Sequence, residues 1–190
     1  MKRFLLSVSV VALAIIGFVG CSQQTKWNRE ERQAMRDLLR QYRQMVYLND
    51  LTDAEYMLFT DNVAAAVEEA YPVYTTFVEM PAVNDTVQVY IVTTIVEELN
   101  TDARNMRHIF PYPYLVENNI LPSGLDRAQQ NAFYACLSQK VNATFPNVTD
   151  FVNAVIASDT LAQSQIGAMQ SACANELFGW VVEIVEITTN

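Results

Sequence analysis

The chain has 190 residues, 51% of them hydrophobic, and its 12 basic and 21 acidic side chains give a formal net charge of −9. A chain of this size buries about 70% of its unfolded surface on folding, so one domain with a sizeable core is expected. The acidic balance argues against nucleic acid as a partner. Only Gly124, Gly167 and Gly179 lie beyond residue 21, too few and too far apart for a glycine-rich phosphate cradle.

The first 21 residues have the three regions of a secretory signal. Lys2 and Arg3 precede an apolar run from Phe4 to Val19, which is shorter than the roughly 20 apolar residues of a membrane-spanning helix. The run ends in Phe18-Val19-Gly20-Cys21. This ending resembles the lipobox of bacterial lipoproteins.

The resemblance implies that signal peptidase II removes residues 1–20 and that Cys21 carries the lipid that anchors the protein to a membrane. Ser22 stands where the inner-membrane retention signal would have aspartate, which implies the outer membrane, facing the periplasm. Residues 21–26 are then expected to form a lipidated tether, and residues 27–190 a folded domain.

Cys136 and Cys173 are the two cysteines that remain once Cys21 is lipidated. In an oxidising compartment an even remainder predicts a disulfide, and the alternative is a pair of buried thiols in neighbouring helices. The chain has a single histidine, His108, and lacks the close ligand pairs that zinc sites use. We therefore expect neither a metal nor a cofactor.

Apolar spacing and capping signals predict an all-α fold, an irregular multi-helix bundle in a single domain. The clearest boundary is a capping box from Thr52 to Glu55. The predicted helices run over Trp27–Tyr47, Thr52–Tyr71, Asn84 or Asp85 to Leu99, Thr101 to about Ile109, Asp126–Phe145, Thr149 to about Ile156, and from Asp159 into the apolar end of the chain. Between Tyr71 and Val83 an irregular segment or a short helix is expected.

Arg104, Arg107 and His108 form the first candidate binding group, because the two arginines lie one turn or less before the histidine. Such a group could hold an anionic substrate, with His108 as a general base. The alternative is a cation at a helix end or a packed side chain. Glu68-Glu69 and Glu97-Glu98 could supply carboxylates that pair across helices in a glycosidase or a metal site, although exposed glutamates are usually only solvated.

Phe110, Tyr112 and Tyr114 form the second candidate group. Pro111 and Pro113 alternate with them and predict a stiff extended segment. Its rings could line a binding groove, or the segment could be a buried connector that wraps the bundle.

A stripe of arginines lies just after the tether. Residues 26–43 carry six bases against three acids, a net +3, whereas residues 44–190 carry four bases against eighteen acids, a net −14. On a helix this stripe could contact an anionic lipid surface, or it could dock on the acidic remainder of its own domain, which the opposite charge favours. The stripe consists of Arg29, Arg32, Arg36, Arg40 and Arg43.

Motifs of nucleophilic catalysis are absent: the mature chain has no Gly-x-Ser-x-Gly, no Ser-x-x-Lys and no His-Glu-x-x-His. This absence favours a membrane-anchored envelope lipoprotein whose helical domain binds an envelope protein or a ligand. The alternative is an envelope hydrolase that uses carboxylates and His108. A pocket that joins His108 to two acids would favour the hydrolase, and a bundle without a cleft would count against it.

Overall fold

The computed structural model describes residues 26–181, and in that range it contains nine α-helices, two 3₁₀ helices and no strand. The predicted all-α, multi-helix architecture is confirmed. The signal sequence, Cys21 and the apolar end from residue 182 lie outside the described residues. The α-helices are α1 (Arg29–Leu39), α2 (Val46–Asp50), α3 (Asp53–Ala70), α4 (Tyr74–Val78), α5 (Val83–Thr101), α6 (Tyr112–Glu117), α7 (Arg127–Thr144), α8 (Val148–Ile156) and α9 (Thr160–Phe178), and the 3₁₀ helices span Arg40–Tyr42 and Ala103–His108.

The core forms around α5, which packs against α3, α8 and the second 3₁₀ helix, while α7 packs against α9 and the same 3₁₀ helix. In α5 the residues Val87 and Ile91 are completely buried, whereas Val89 between them is exposed. Alternation along a strand would put all three on one face, so this burial pattern is the signature of a helix. The second 3₁₀ helix is thus held between two layers of the bundle.

Local capping sets most of the helix starts. The side chains of Asn28, Thr52 and Asp126 each accept a hydrogen bond from the backbone three residues on, and each is answered by a Glu or Gln in a capping box. Two predicted starts were wrong. Helix α5 begins at Val83 without a side-chain cap, and α8 is capped by Asn147, whose side chain accepts from the backbone N–H of Asp150.

The predicted first helix is broken, since α1 passes into the 3₁₀ helix at Arg40 and Met45 is extended at φ −63° and ψ 142°. The break turns the chain so that Tyr47 and Leu48 of α2 enter the core. The guanidinium of Arg43 holds the turn, because it donates hydrogen bonds to the carbonyl oxygens of Leu48 and Leu51.

The proline segment is also different from the prediction. Pro111 is the N-cap of α6 and Pro113 lies at its second position, where the missing N–H would have had no partner within the helix. The predicted stiff extended segment is therefore wrong, because the chain forms a short helix over Tyr112–Glu117.

Cys136 of α7 and Cys173 of α9 meet at disulfide distance, with their sulfur atoms 2.04 Å apart and their Cα atoms 5.9 Å apart. The predicted pairing of these two cysteines is confirmed, in that they lie at disulfide distance. Among residues 26–181, no helix is sufficiently long and apolar to cross a membrane.

Candidate functional site

His108 is the centre of a polar layer between the helices. Its ring is buried, packs edge-on against Tyr47 with centroids 5.3 Å apart, and places Nδ1 2.8 Å from Oδ2 of Asp50. A carboxylate can only accept, so in the neutral imidazole the proton lies on Nδ1 and Nε2 carries the lone pair. Asp50 at the end of α2 thus fixes both the orientation and the tautomer of His108.

One pocket opens on the Nε2 side of the ring and has a volume of about 440 Å³; we call it the acidic pocket. Nε2 of His108 lies 3.9 Å from Oε1 of Glu55, too far for a hydrogen bond. Between residues 26 and 181 no fully buried side-chain nitrogen or oxygen lacks a partner, so Nε2 must be accessible from this pocket. Its charged lining residues are Glu55, Glu97, Glu98, Arg107 and His108.

The carboxylates of the acidic pocket are held by short contacts. Glu98 accepts a 2.6 Å hydrogen bond from the hydroxyl of Tyr47, whose pKa is raised first by burial and then by this carboxylate, so Tyr47 stays neutral. The backbone N–H of Thr52 donates to Glu55 at 2.9 Å and is the main cause of its lowered pKa. Glu55 is therefore ionised at neutral pH and also pairs with Arg107 at 3.2 Å.

A second pocket of about 420 Å³ lies on the Asp50 side of the same layer; we call it the basic pocket. Of the four bases in residues 44–190, it gathers three, and the fourth is Lys140. The 3₁₀ helix supplies two of these arginines, and the first turn of α7 supplies the third. Its charged and aromatic lining residues are Asp50, Arg104, Arg107, Tyr112, Arg127 and Tyr134.

The three guanidinium groups are not equally engaged. Arg104 donates from Nε to both oxygens of Asp102, at 2.9 and 2.8 Å, and these bonds lower the pKa of that carboxyl. Arg107 pairs with Glu55 across the layer. Arg127 is exposed and has no ion pair or side-chain hydrogen bond within the described part of the chain.

The predicted binding residues separate into three environments. Arg104, Arg107 and Tyr112 line the basic pocket, and Arg107 and His108 line the acidic one. Phe110 lines neither of these pockets: it is buried and packs on Phe151 with ring centroids 6.4 Å apart. Tyr114 is half exposed and lines neither of these two pockets.

Tyr112 has a structural role beside its place in the basic pocket. Its hydroxyl donates to the carbonyl oxygen of Pro122 at 2.8 Å and accepts from the backbone N–H of Leu125 at 3.0 Å. Both bonds tie the start of α6 to the loop that precedes α7, and so they place Arg127 opposite the 3₁₀ helix.

Four of the five stripe arginines have partners inside the domain. Arg32 makes a bidentate contact with Glu68 at 2.9 and 3.0 Å, and this contact is the main cause of the lowered pKa of Glu68. Such a contact is what we expect if the arginine stripe docks on the acidic residues of its own domain. The remaining partners are Asp61 for Arg36, Asp37 for Arg40, and Asp53 with the ring of Tyr56 for Arg43. Arg29 is exposed and has no ion pair among residues 26–181.

Asp50, Glu55, Arg127 and Tyr134 belong to the site but were not found from the sequence. They come from α2, α3 and α7, far apart in the chain, and carry no motif. The scarcity of bases beyond residue 43 was the one available signal, and it pointed to Arg127.

Within residues 26–181 no cluster of three or more His, Cys, Asp or Glu side chains is arranged to hold a metal ion. Comparison with protein-family models, with curated proteins and with solved structures found no significant match for this chain.

Proposed function

We propose that this protein is a lipid-anchored envelope protein whose helical domain binds a small acidic ligand, one that bears a carboxylate or a phosphate, in the basic pocket. The envelope location rests on the resemblance of Phe18-Val19-Gly20-Cys21 to a lipobox. The ligand class rests on one observation, the convergence of Arg104, Arg107 and Arg127 on a single cavity in an otherwise acidic domain.

The convergence of these arginines is hard to explain by stability alone. Like charges in one cavity repel each other, and eighteen acids in residues 44–190 offer many other places for a base. A purely structural network would pair each guanidinium, as it does for Arg104 with Asp102. Arg127 keeps its donors available, and planar guanidinium groups bind carboxylate and phosphate oxygens in a bidentate manner.

The shape of the basic pocket suits a compact ligand. Its volume of about 420 Å³ lies at the lower end of the range for ligand pockets, roughly 300–1,000 Å³. The hydroxyl of Tyr134 is committed to the carbonyl oxygen of Phe110 at 2.9 Å, so this residue offers its ring rather than a donor. An acid with an aromatic or other flat apolar part fits these walls.

Calorimetric titration with phenyl phosphate and with citrate tests the proposal. We expect binding that weakens about ten- to hundredfold in Arg127→Gln, because one charge-assisted hydrogen bond contributes roughly 1.5–3 kcal/mol. Lys140→Gln is the matched control: it removes the same charge from the one base of residues 44–190 that lies outside the pocket, where it pairs with Glu176 at 2.7 Å. Equal losses in the two variants, or no binding of either acid, would contradict the proposal.

Hydrolysis is the second candidate function, because the acidic pocket joins His108 to Glu55, Glu97 and Glu98. With Asp50 on Nδ1, Nε2 of His108 is placed to take a proton from water. The hydroxide would add to an ester or amide carbonyl, and the bond to the leaving group would break as the leaving group takes up the proton.

A panel of p-nitrophenyl esters tests this second function. Release of nitrophenol by the purified protein that is lost in His108→Asn and retained in Arg127→Gln would support hydrolysis. Release that persists in folded His108→Asn would contradict it.

A further inference from the structure

Carboxylates are the most numerous charged groups around the acidic pocket, which is also lined by the neutral polar side chains Asn62, Thr94, Thr101 and Asn105. Glu55, Glu97 and Glu98 stand against Arg107, so these three acids and one base together carry a formal charge of −2. Arg107 is already paired with Glu55 at 3.2 Å. The pocket therefore attracts a cation and repels an anion, the opposite of the basic pocket on the other side of the layer.

The imidazole of His108 borders the same pocket, and its Nε2 makes no hydrogen bond within residues 26–181. The residue is 4% exposed, its Nδ1 is engaged with Asp50 at 2.8 Å, and its Nε2 borders the pocket 3.9 Å from Oε1 of Glu55. Glu55 is ionised and cannot donate to Nε2. Nε2 is therefore an accessible ring nitrogen, open to a group that enters the pocket.

We propose that the acidic pocket is a second binding site and that it takes an organic ammonium group. A primary ammonium carries three N–H donors and one positive charge, which match Nε2 of His108 and the carboxylates of Glu97 and Glu98. The aliphatic part of the same molecule lies against Leu51 and Leu58, and Leu58 is 63% exposed at the edge of the pocket. The site is independent of the acid-binding function proposed above.

Calorimetric titration with 1,5-diaminopentane at neutral pH and physiological salt tests the second site, and 1,5-pentanediol provides a neutral molecule of the same length. We expect the diamine to bind and the diol not to bind. Glu97 is exposed, and Gln at position 98 can still accept the hydroxyl of Tyr47, so Glu97→Gln and Glu98→Gln both keep the fold. Each is expected to weaken diamine binding about tenfold, the effect of losing one charged acceptor.

Two controls separate this site from general attraction and from the basic pocket. Glu117→Gln removes one exposed negative charge from a side chain that lines neither pocket, and should leave the diamine affinity within about twofold. Arg127→Gln should leave diamine binding unchanged while it weakens phenyl phosphate binding, so the two proposals can fail separately. Equal binding of the diol, an equal loss in Glu117→Gln, or no diamine binding at millimolar concentration would each overturn the second site.

Discussion

Removal of the link between Cys136 and Cys173 is the perturbation whose size the structure defines best. The two cysteines are 37 residues apart in sequence and join α7 to α9. In the chain-entropy relation, a cross-link that closes a loop of this length stabilises the folded state by about 4 kcal/mol at 25 °C. For a domain of this size that corresponds to roughly 8–16 °C in Tm.

The perturbation can be made in two ways. The first is reduction of the wild-type protein, and the second is the double variant Cys136→Ala with Cys173→Ala. Cys173 is completely buried, so the alanine variant also loses packing around one sulfur atom, which costs about 1 kcal/mol more. Urea unfolding followed by circular dichroism measures both, with and without reductant.

We expect reductant to lower the unfolding free energy of the wild type and to leave that of the double variant unchanged. A wild-type protein whose stability does not respond to reductant would refute the entropic reasoning. Labelling of both cysteines in protein that has been unfolded without reductant would show that the bond does not form at all.

Three further outcomes are expected. The triple variant Arg32→Gln, Arg36→Gln and Arg40→Gln should lower Tm by a few degrees at most, because exposed ion pairs contribute little to stability. An unchanged Tm together with lost binding to anionic vesicles would instead place the stripe at a membrane. Thr52→Ala should destabilise the domain by about 1 kcal/mol in urea unfolding, because it removes the N-cap of α3, and an unchanged midpoint would contradict that role. The pKa of Glu68 is lowered from its ordinary value of 4.5, so the stability that its charge adds is complete above pH 4.5 and is lost as the pH falls through the lower folded value. Unfolding free energies of the wild type and Glu68→Gln, measured as a function of pH, should therefore change relative to each other only at acid pH.

Helix positions were predictable wherever the signal was local. The capping boxes that begin at Thr52 and Asp126 need only the chain within three residues, and the structure has α3 and α7 where those boxes put them. Gly179 is an equally local signal that the prediction missed: it ends α9 in the left-handed conformation at φ 63°, which glycine adopts without strain, whereas the predicted helix continued into the apolar end.

Helix breaks were not predictable, because they depend on what the chain must bury. The apolar spacing continues from Met35 to Val46, but the turn at Met45 is needed to bring Tyr47 into the core. The carbonyl oxygens that Arg43 satisfies exist only after the turn has formed. At Pro113 the error was the opposite one, because a break was predicted where a helix forms. Proline disrupts a helix interior but is tolerated at a helix start.

The candidate site shows the same division. Arg104, Arg107 and His108 were found because they are close in sequence, and a 3₁₀ helix keeps them together. Their separation into a basic and an acidic pocket was not found, because it depends on Asp50 and Glu55 from other helices. Distance between oppositely charged groups is a tertiary property, and no spacing along the chain reports it.

By itself, the sequence determined the helical class, the strongest caps, the paired cysteines and the scarcity of bases beyond residue 43, because each depends on composition or on neighbours a few residues apart. Only the tertiary structure decided which side of His108 faces Asp50, which arginines share a cavity with Arg127, and which aromatic residues are buried. These properties arise when α2, α3, α5 and α7 pack around one 3₁₀ helix, since burial and electrostatic pairing are set by the groups that surround a side chain in space.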